Sequence, residues 1–174
     1  MAPTIIALSG KAQHGKTTSC DILEVMLQPA RVMRISYGDY VKEIATKHFG
    51  WDGNKDEVGR NLLQWLGTEN VRAKNSTFWV DTVIRLVDVI GDEFDYVLID
   101  DSRFPDELDL WGKGGYKVIA IRVERPGFEN NLTEEQRNHA SETSLDDAYF
   151  TYKINATNIN ELMVELGKIS GELK

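Results

Sequence analysis

Gly10-Lys11-Ala12-Gln13-His14-Gly15-Lys16-Thr17 matches G-x-x-x-x-G-K-[ST], the pattern of a loop whose backbone wraps a phosphate group. Each fixed position has a physical reason. Gly10 and Gly15 can take backbone angles closed to other residues, so the successive N–H groups of the loop can converge on phosphate oxygens. Lys16 brings a point charge to the β- and γ-phosphates, and the Thr17 hydroxyl is placed to ligate Mg²⁺. At ordinary residue frequencies this pattern arises at roughly 1 start in 25,000. Accident is therefore a poor explanation.

The flanks agree. Ile5-Ile6-Ala7-Leu8 is a short apolar run suited to a buried strand, and Thr18 to Leu27 can be helical. A helix starting there turns its positive dipole end toward the same anion. The candidate contacts to a nucleoside triphosphate are Gly10, Lys11, Ala12, Gln13, His14, Gly15, Lys16, Thr17 and Thr18. His14 is an unusual occupant of a variable position and is given no catalytic role.

Composition bounds the rest. Hydrophobic residues make up 41% and charged residues 28%, values of a soluble globular chain, and residues 1–174 suffice for one domain. No apolar run approaches a membrane span. Met1-Ala2-Pro3-Thr4 leads directly into the first strand, which leaves no room for a signal peptide. Cys20 is the sole cysteine, so an intrachain disulfide and a thiolate metal cluster are excluded, and its place in the first helix suggests packing. These features point to the cytoplasm. A net charge of −8 argues against a duplex nucleic acid partner, whereas a nucleotide site needs only local cations. Whether the chain is a monomer or a homodimer is left open.

Strand and helix signals alternate along the chain. Strands are expected at Thr4–Ser9, Val32–Ser36, Tyr96–Ile99, Lys117–Val123 and Phe150–Ile154. Asp39 is expected to cap a helix carrying Val41, Ile44 and Ala45. A helix over Asp56–Leu66 should face Val58, Leu62 and Leu66 inward, with Arg60 and Gln64 on its other face, and Gly67-Thr68-Glu69 should interrupt it. Another spans Phe78–Ile90. The polar run Phe128–Glu142 reads as mobile, with one helical turn from Thr133. The last helix starts at Asn158, with Ile159, Leu162, Met163, Leu166 and Ile169 inward. The fold class is α/β: a three-layer P-loop NTPase fold with a central parallel sheet of about five strands flanked by helices.

Val97-Leu98-Ile99-Asp100-Asp101 has the form of a Walker B segment, an apolar strand that delivers a carboxylate toward Mg²⁺. Asp100 is the metal-side candidate. Asp101 could instead orient Arg103 or a substrate group, and either acid could be an ordinary strand-ending turn residue. A GTPase is disfavoured. Arg103 stands where D-x-x-G requires glycine, and Asn54-Lys55-Asp56-Glu57 lacks the last Asp of N-K-x-D and precedes Asp100.

Three more segments join the phosphate loop: Leu63-Gln64-Trp65-Leu66-Gly67-Thr68-Glu69-Asn70-Val71-Arg72 with Phe78-Trp79-Val80; Asp100-Asp101-Ser102-Arg103-Phe104-Pro105-Asp106-Glu107; and His139-Ala140-Ser141-Glu142 with Asn155. In this order, over nearly the whole chain, they resemble the phage-type deoxynucleoside monophosphate kinases, among the adenylate-kinase-like P-loop kinases. The resemblance implies ATP-dependent transfer of the γ-phosphoryl group to the 5′-phosphate of a deoxynucleoside monophosphate. It places Arg72 and Arg103 on the acceptor phosphate, and His139 and Glu142 at the acceptor site or lid. Asn155 falls where such kinases contact adenine.

Phosphoryl transfer independently asks for arginines that converge on the transferred group. Lys16, Arg72, Arg103 and Arg125 are the catalytic candidates. Arg60 and Gln64 could hold the acceptor, and Trp79 could stack on its base or pack in the core. An acceptor segment over about 38–90 and a lid over about 125–142, bracketed by Arg122, Arg125 and Arg137, complete the expectation. Ser36-Tyr37-Gly38-Asp39-Tyr40-Val41-Lys42 departs from the F-A-D-P-L-K-like string of the family. It keeps Asp39 and Lys42 as acceptor-side candidates but lacks proline. Rival readings are a kinase for phosphomevalonate or dephospho-coenzyme A, and a nucleotide-binding regulatory protein without an acceptor site.

Overall fold

The unbroken apolar runs of β1 (Thr4–Ser9) and β3 (Tyr96–Ser102) follow from their place as inner strands, buried on both faces. In the computed structural model, which describes residues 1–173, five strands form one sheet in the order β2-β3-β1-β4-β5. The edges are β2 (Val32–Ile35) and β5 (Tyr152–Asn155), β4 (Val118–Glu124) lies between β1 and β5, and every neighbouring pair is parallel.

Successive side chains of β1 enter different layers, which makes the fold α/β with three layers. Ile6 and Leu8 pack with Leu23 and Leu27, at the end of α1 (Lys16–Met26), and with Leu162 and Leu166 of α8 (Ile159–Leu173). Ile5 packs instead with Val41 of α2 (Tyr37–Phe49), Val80 and Val83 of α4 (Phe78–Ile90) and Trp111 of α5 (Asp106–Lys113). The crossover from β1 to β2 passes over β3, while β4 and β5 lie on the other side of β1. A crevice therefore opens at the carboxyl ends of the strands beside β1.

Several boundaries differ from expectation for local physical reasons. Ser36, with extended backbone, precedes α2, and Asp39 lies in its first turn rather than capping it. α3 (Glu57–Gln64) is capped by Asp56, whose Oδ1 accepts from the Gly59 N–H at 2.8 Å. A Cβ on Gly59 would lie 2.0 Å from the Asn54 carbonyl oxygen, so the glycine face is the packed one and Val58 is turned out, 77% exposed. Gly67-Thr68-Glu69 does not stop the chain's winding. It continues through a π-helical segment, Trp65–Arg72, in which the Ala73 N–H donates to Thr68 O. Gly67 serves close approach, since a Cβ there would touch Val41 and its carbonyl accepts from Trp79 Nε1 at 2.9 Å.

α5 was not assigned from the sequence, although Pro105 followed by Asp106, Glu107 and Asp109 is an acid-rich helix start. In α8 the buried stripe narrows to Leu162, Leu166 and Ile169, while Ile159 and Met163 are exposed. The polar run Phe128–Glu142 carries α6 (Glu134–Asn138), opened by a complete capping box between Thr133 and Gln136, and leads into α7 (Ala140–Thr143). Gln136 is buried and donates to Asn61 Oδ1 at 2.7 Å, which ties this run to α3. Among the described residues no helix is long and apolar enough to cross a membrane.

Candidate functional site

Ser9, the last residue of β1, is in register with both Ser102 and Arg122, which brings the phosphate loop to the end of β3. Gly10 and Gly15 have φ of 155° and 98°, and Gln13 has φ of 64°. A Cβ on Gly10 would lie 2.4 Å from the Val123 carbonyl oxygen, so only glycine fits against β4. Lys16 is 8% exposed and donates to Gly10 O at 2.7 Å and Lys11 O at 2.9 Å. Burial, then the nearby Arg103 charge, lowers its pKa to about 7.

Between Ala7 and Ser9 the partner strand carries one extra residue: Ala7 pairs with Ile99 and Ser9 with Ser102. This bulge allows the consecutive acids Asp100 and Asp101 to line one cleft, where a regular strand would send them to opposite faces. Their roles diverge. Asp101 Oδ2 accepts from Ser36 Oγ at 2.8 Å and the Gly38 N–H at 2.7 Å, and Oδ1 accepts from the Tyr37 N–H at 2.9 Å. It thus anchors the start of α2, although burial and Asp100 raise its pKa. Asp100 Oδ2 accepts from Arg34 at 3.0 Å, and Arg34 also pairs with Asp21. Among the described residues no group of three or more His, Cys, Asp or Glu is placed to hold a metal. A Mg²⁺ here would use Thr17 and Asp100, both on the cleft, with the remaining ligands from the nucleotide and water, the coordination this ion favours.

The cleft has a volume of about 490 Å³ and runs from Lys16 and Thr17 to Gln64, Arg72 and Trp79. Asp39, Lys42, Arg60, Asp101, Arg103 and Glu142 also line it; His139 does not, and instead caps α7 by accepting from the Ser141 N–H at 3.2 Å. Their partners sort them. Arg103 pairs with Glu142 and donates to Ser141 O at 3.0 Å, while Glu142 Oε2 accepts from the Ala12 N–H at 2.8 Å. One buried carboxylate thereby links an amide of the phosphate loop to the arginine of β3's end, and Arg103 is the main cause holding the Glu142 pKa low against its burial. Arg72 is engaged differently. It pairs with Asp106 at 2.7 Å and Glu107 at 3.4 Å, and stacks on the Phe104 ring at 3.8 Å. Its charge is offset in place while it lines the cleft, so serving an acceptor phosphate would mean sharing it with, or drawing it from, these two carboxylates. Trp79 is 3% exposed and hydrogen-bonded to Gly67 O, so it is a core residue with one edge on the cleft.

Other loop residues face outward. Lys11 Nζ donates to Glu142 O at 2.6 Å and pairs with Asp146, away from Lys16. Arg122 is buried on Ser9, Glu124 and Asp146, and therefore braces the sheet rather than a lid. Arg137 is exposed and borders neither cleft. A second cleft of about 250 Å³ lies beside Gly15, Thr18, Arg125, Ala156, Thr157 and Asn158. Arg125 stacks over Phe128 at 4.3 Å, and its N–H donates to His14 Nδ1 at 3.2 Å. Asn155 ends β5 beside this cleft but does not line it; Ala156 to Asn158 do.

Arg34, Lys55 and Asp146 escaped the sequence reading. Arg34 carried a signal, a lone cation inside the otherwise apolar run Val32-Met33-Arg34-Ile35. Lys55 and Asp146 lie in polar stretches where no pattern separates them from solvated charges.

No protein-family model matches the chain, and no curated protein matches it. Solved structures do. A Thermus thermophilus protein of unstated activity aligns with a TM-score of 0.59 at 16% identity, covering 100% of both chains. Dephospho-CoA kinase from Campylobacter jejuni aligns with a TM-score of 0.57 at 12% identity, over 99% of this chain and 98% of that one. Mycobacterium tuberculosis APS kinase, solved with AMPPNP and APS, gives 0.52 at 11% identity, over 99% and 95%. At these identities the likeness is one of fold: the chain has the three-layer α/β fold of P-loop kinases.

Proposed function

We propose that the protein is an ATP- and Mg²⁺-dependent deoxynucleoside monophosphate kinase. One observation carries this reading: a single cleft joins the phosphate loop, with Lys16 and Thr17, to a space bordered by Gln64, by Arg103 and by further cations. In this reading residues 1–174 act as one kinase unit, with the acceptor segment over about 38–90 and the lid over about 125–142. The loop amides and Lys16 hold the ATP phosphates, and the second cleft beside Arg125 takes the adenine. Mg²⁺, when bound, neutralises charge on the β- and γ-phosphates.

An acceptor phosphate oxygen attacks the γ-phosphorus, and the bond from that phosphorus to the β-bridging oxygen breaks, giving ADP and a deoxynucleoside diphosphate. Little covalent chemistry is asked of the protein. Arg103 offsets charge on the transferred group, and Glu142 holds its guanidinium toward the phosphate loop. The Leu132 side chain is buried and borders the cleft, so the lid segment supplies an apolar cover that helps exclude water.

The test is a panel of acceptors with ATP and Mg²⁺, read as ADP formation: dTMP, dGMP, dCMP, 5-hydroxymethyl-dCMP, dAMP, the ribonucleotides, phosphomevalonate and dephospho-coenzyme A. Acceptor-dependent ADP from a deoxynucleotide supports the reading. ADP only with a non-nucleotide moves the activity to another kinase class, and ATP binding without any acceptor-dependent turnover leaves a nucleotide-binding protein.

A further inference from the structure

The cations of the main cleft divide by partner. Lys16 is held by backbone carbonyls, Lys42 by Asp39 at 2.7 Å, Arg72 by Asp106 and Glu107, and Arg103 by Glu142. Lys55 and Arg60 remain. Both border the cleft, and among the described residues neither has a carboxylate within ion-pair distance. They are built as a pair, since Arg60 Nε donates to the Lys55 carbonyl at 2.9 Å and the guanidinium also reaches Asn131 Oδ1 of the lid run at 3.4 Å. Lys55 lies in the loop before α3, whose position is fixed by the Trp51 Nε1 bond to Asn54 O and the Asp56 cap. Its side chain is exposed, but partial desolvation at the cleft mouth, and then the positive charges of Lys42, Arg60 and Arg103, depress its pKa, with Asp100 acting the other way.

A protein of net charge −8 has carboxylates to spare, and several line this cleft, yet none is brought within ion-pair distance of Lys55 or Arg60. Juxtaposed cations repel, and an anion that enters between them relieves the repulsion. We infer that Lys55 and Arg60 form an anion subsite at the acceptor end of the cleft, built for the phosphate dianion of a phosphorylated acceptor. The neutralised Arg72 is then a wall of the cleft, and Lys55 takes the phosphate-binding role that the sequence assigned to Arg72. The inference rests on the kinase reading for the acceptor's identity, and on the cleft's own charges for the anion.

The experiment has two arms. In the first, Lys55→Gln, Lys55→Arg and wild type are compared for acceptor KM, kcat and ATP KM with the best acceptor of the panel. Lys55→Gln should raise acceptor KM about tenfold or more and leave ATP KM and saturated kcat within about twofold; Lys55→Arg should recover most of the loss. Binding of the matching nucleoside, which lacks the phosphate, should be equal in wild type and Lys55→Gln. In the second arm, melting temperature is followed against inorganic phosphate at constant ionic strength with AMPPNP present. Phosphate should stabilise wild type, and Lys55→Gln combined with Arg60→Gln should abolish the rise. An unchanged acceptor KM, an equal loss for nucleoside and monophosphate, or an equal phosphate response in wild type and the double variant each overturns the subsite. Wild type without acceptor-dependent turnover defeats the kinase reading instead, and the phosphate arm still decides the subsite.

Discussion

Replacing Asp101 with alanine separates the two acids at the end of β3 by their physical roles. Asp101 accepts three hydrogen bonds, two from backbone N–H groups in the first turn of α2 and one from Ser36 Oγ. Hydrogen bonds to a charged group contribute about 1.5–3 kcal/mol each, and an anion at a helix N-terminus adds about 0.3–1 kcal/mol. Two terms reduce the total: the carboxylate is itself held in a site that raises its pKa, and water can enter from the cleft to serve the freed amides. A net loss of about 3 kcal/mol follows, which for a chain of this length lowers the melting temperature by about 6–12 °C. Urea unfolding and calorimetry measure both. Asp100→Ala, which removes only a half-open pair with Arg34, should lose less than about 1 kcal/mol and instead raise the Mg²⁺ concentration needed for turnover. Equal stability losses in the two variants, or an Asp101→Ala variant as stable as wild type, would refute the division.

Lys16 has a folded pKa of about 7 against an ordinary 10.5, so between these values the unfolded chain holds the proton more tightly and wild-type stability rises with pH. Against Lys16→Met, which lacks that titration, wild type should gain about 2 kcal/mol between pH 7 and pH 9 in urea unfolding; a constant difference would remove the burial argument. Gly10→Ala should lose about 3 kcal/mol and nucleotide binding together, because its Cβ would press on the Val123 carbonyl in a backbone region closed to alanine; normal ATP binding by a stable variant would contradict this. Arg103→Met should lower kcat on the order of a hundredfold, as expected of a group that acts on developing charge, and should also cost stability because the buried Glu142 loses its charge partner. Arg72→Met should instead leave kcat within a few fold while stability falls by about 3 kcal/mol, because Asp106 and the buried Glu107 lose their charge partner. Exchange of the two kcat effects would return Arg72 to the acceptor phosphate.

The sequence made the frame legible because its signals are local. The phosphate-loop pattern, the apolar runs of β1 and β3 and the start of α8, where Asn158 Oδ1 accepts from the Glu161 N–H at 3.1 Å, each depend on neighbours within a few residues. What it left unread depends on distant packing. The phase of α3 is set by the approach of Gly59 to Asn54, so no periodicity count could turn Val58 outward. Gly67 was read as a helix stop because glycine usually is one, whereas here it admits Val41 and the Trp79 indole. The bulge that brings Asp100 and Asp101 to one cleft shows only in the pairing register. Arg72 lay in a fairly specific string and still turned toward Asp106, a residue thirty-four positions on.

That last case bears on how an acidic chain builds a cationic cleft. Motif matching locates arginines, but the working charge of each depends on which carboxylate reaches it first. Glu142 is shared between Arg103 and the Ala12 amide, so it aims the guanidinium at the phosphate loop. Asp106 and Glu107, by contrast, hold Arg72 against the face of Phe104 at the wall of the cleft and offset its charge there. The net charge of −8 is therefore no obstacle to binding polyanions. The acids orient some cations and silence others, and the unpaired remainder, Lys55 and Arg60, marks where charge on a ligand is needed. Placement of carboxylates, more than the count of arginines, sets which phosphate of a bound pair is held and where.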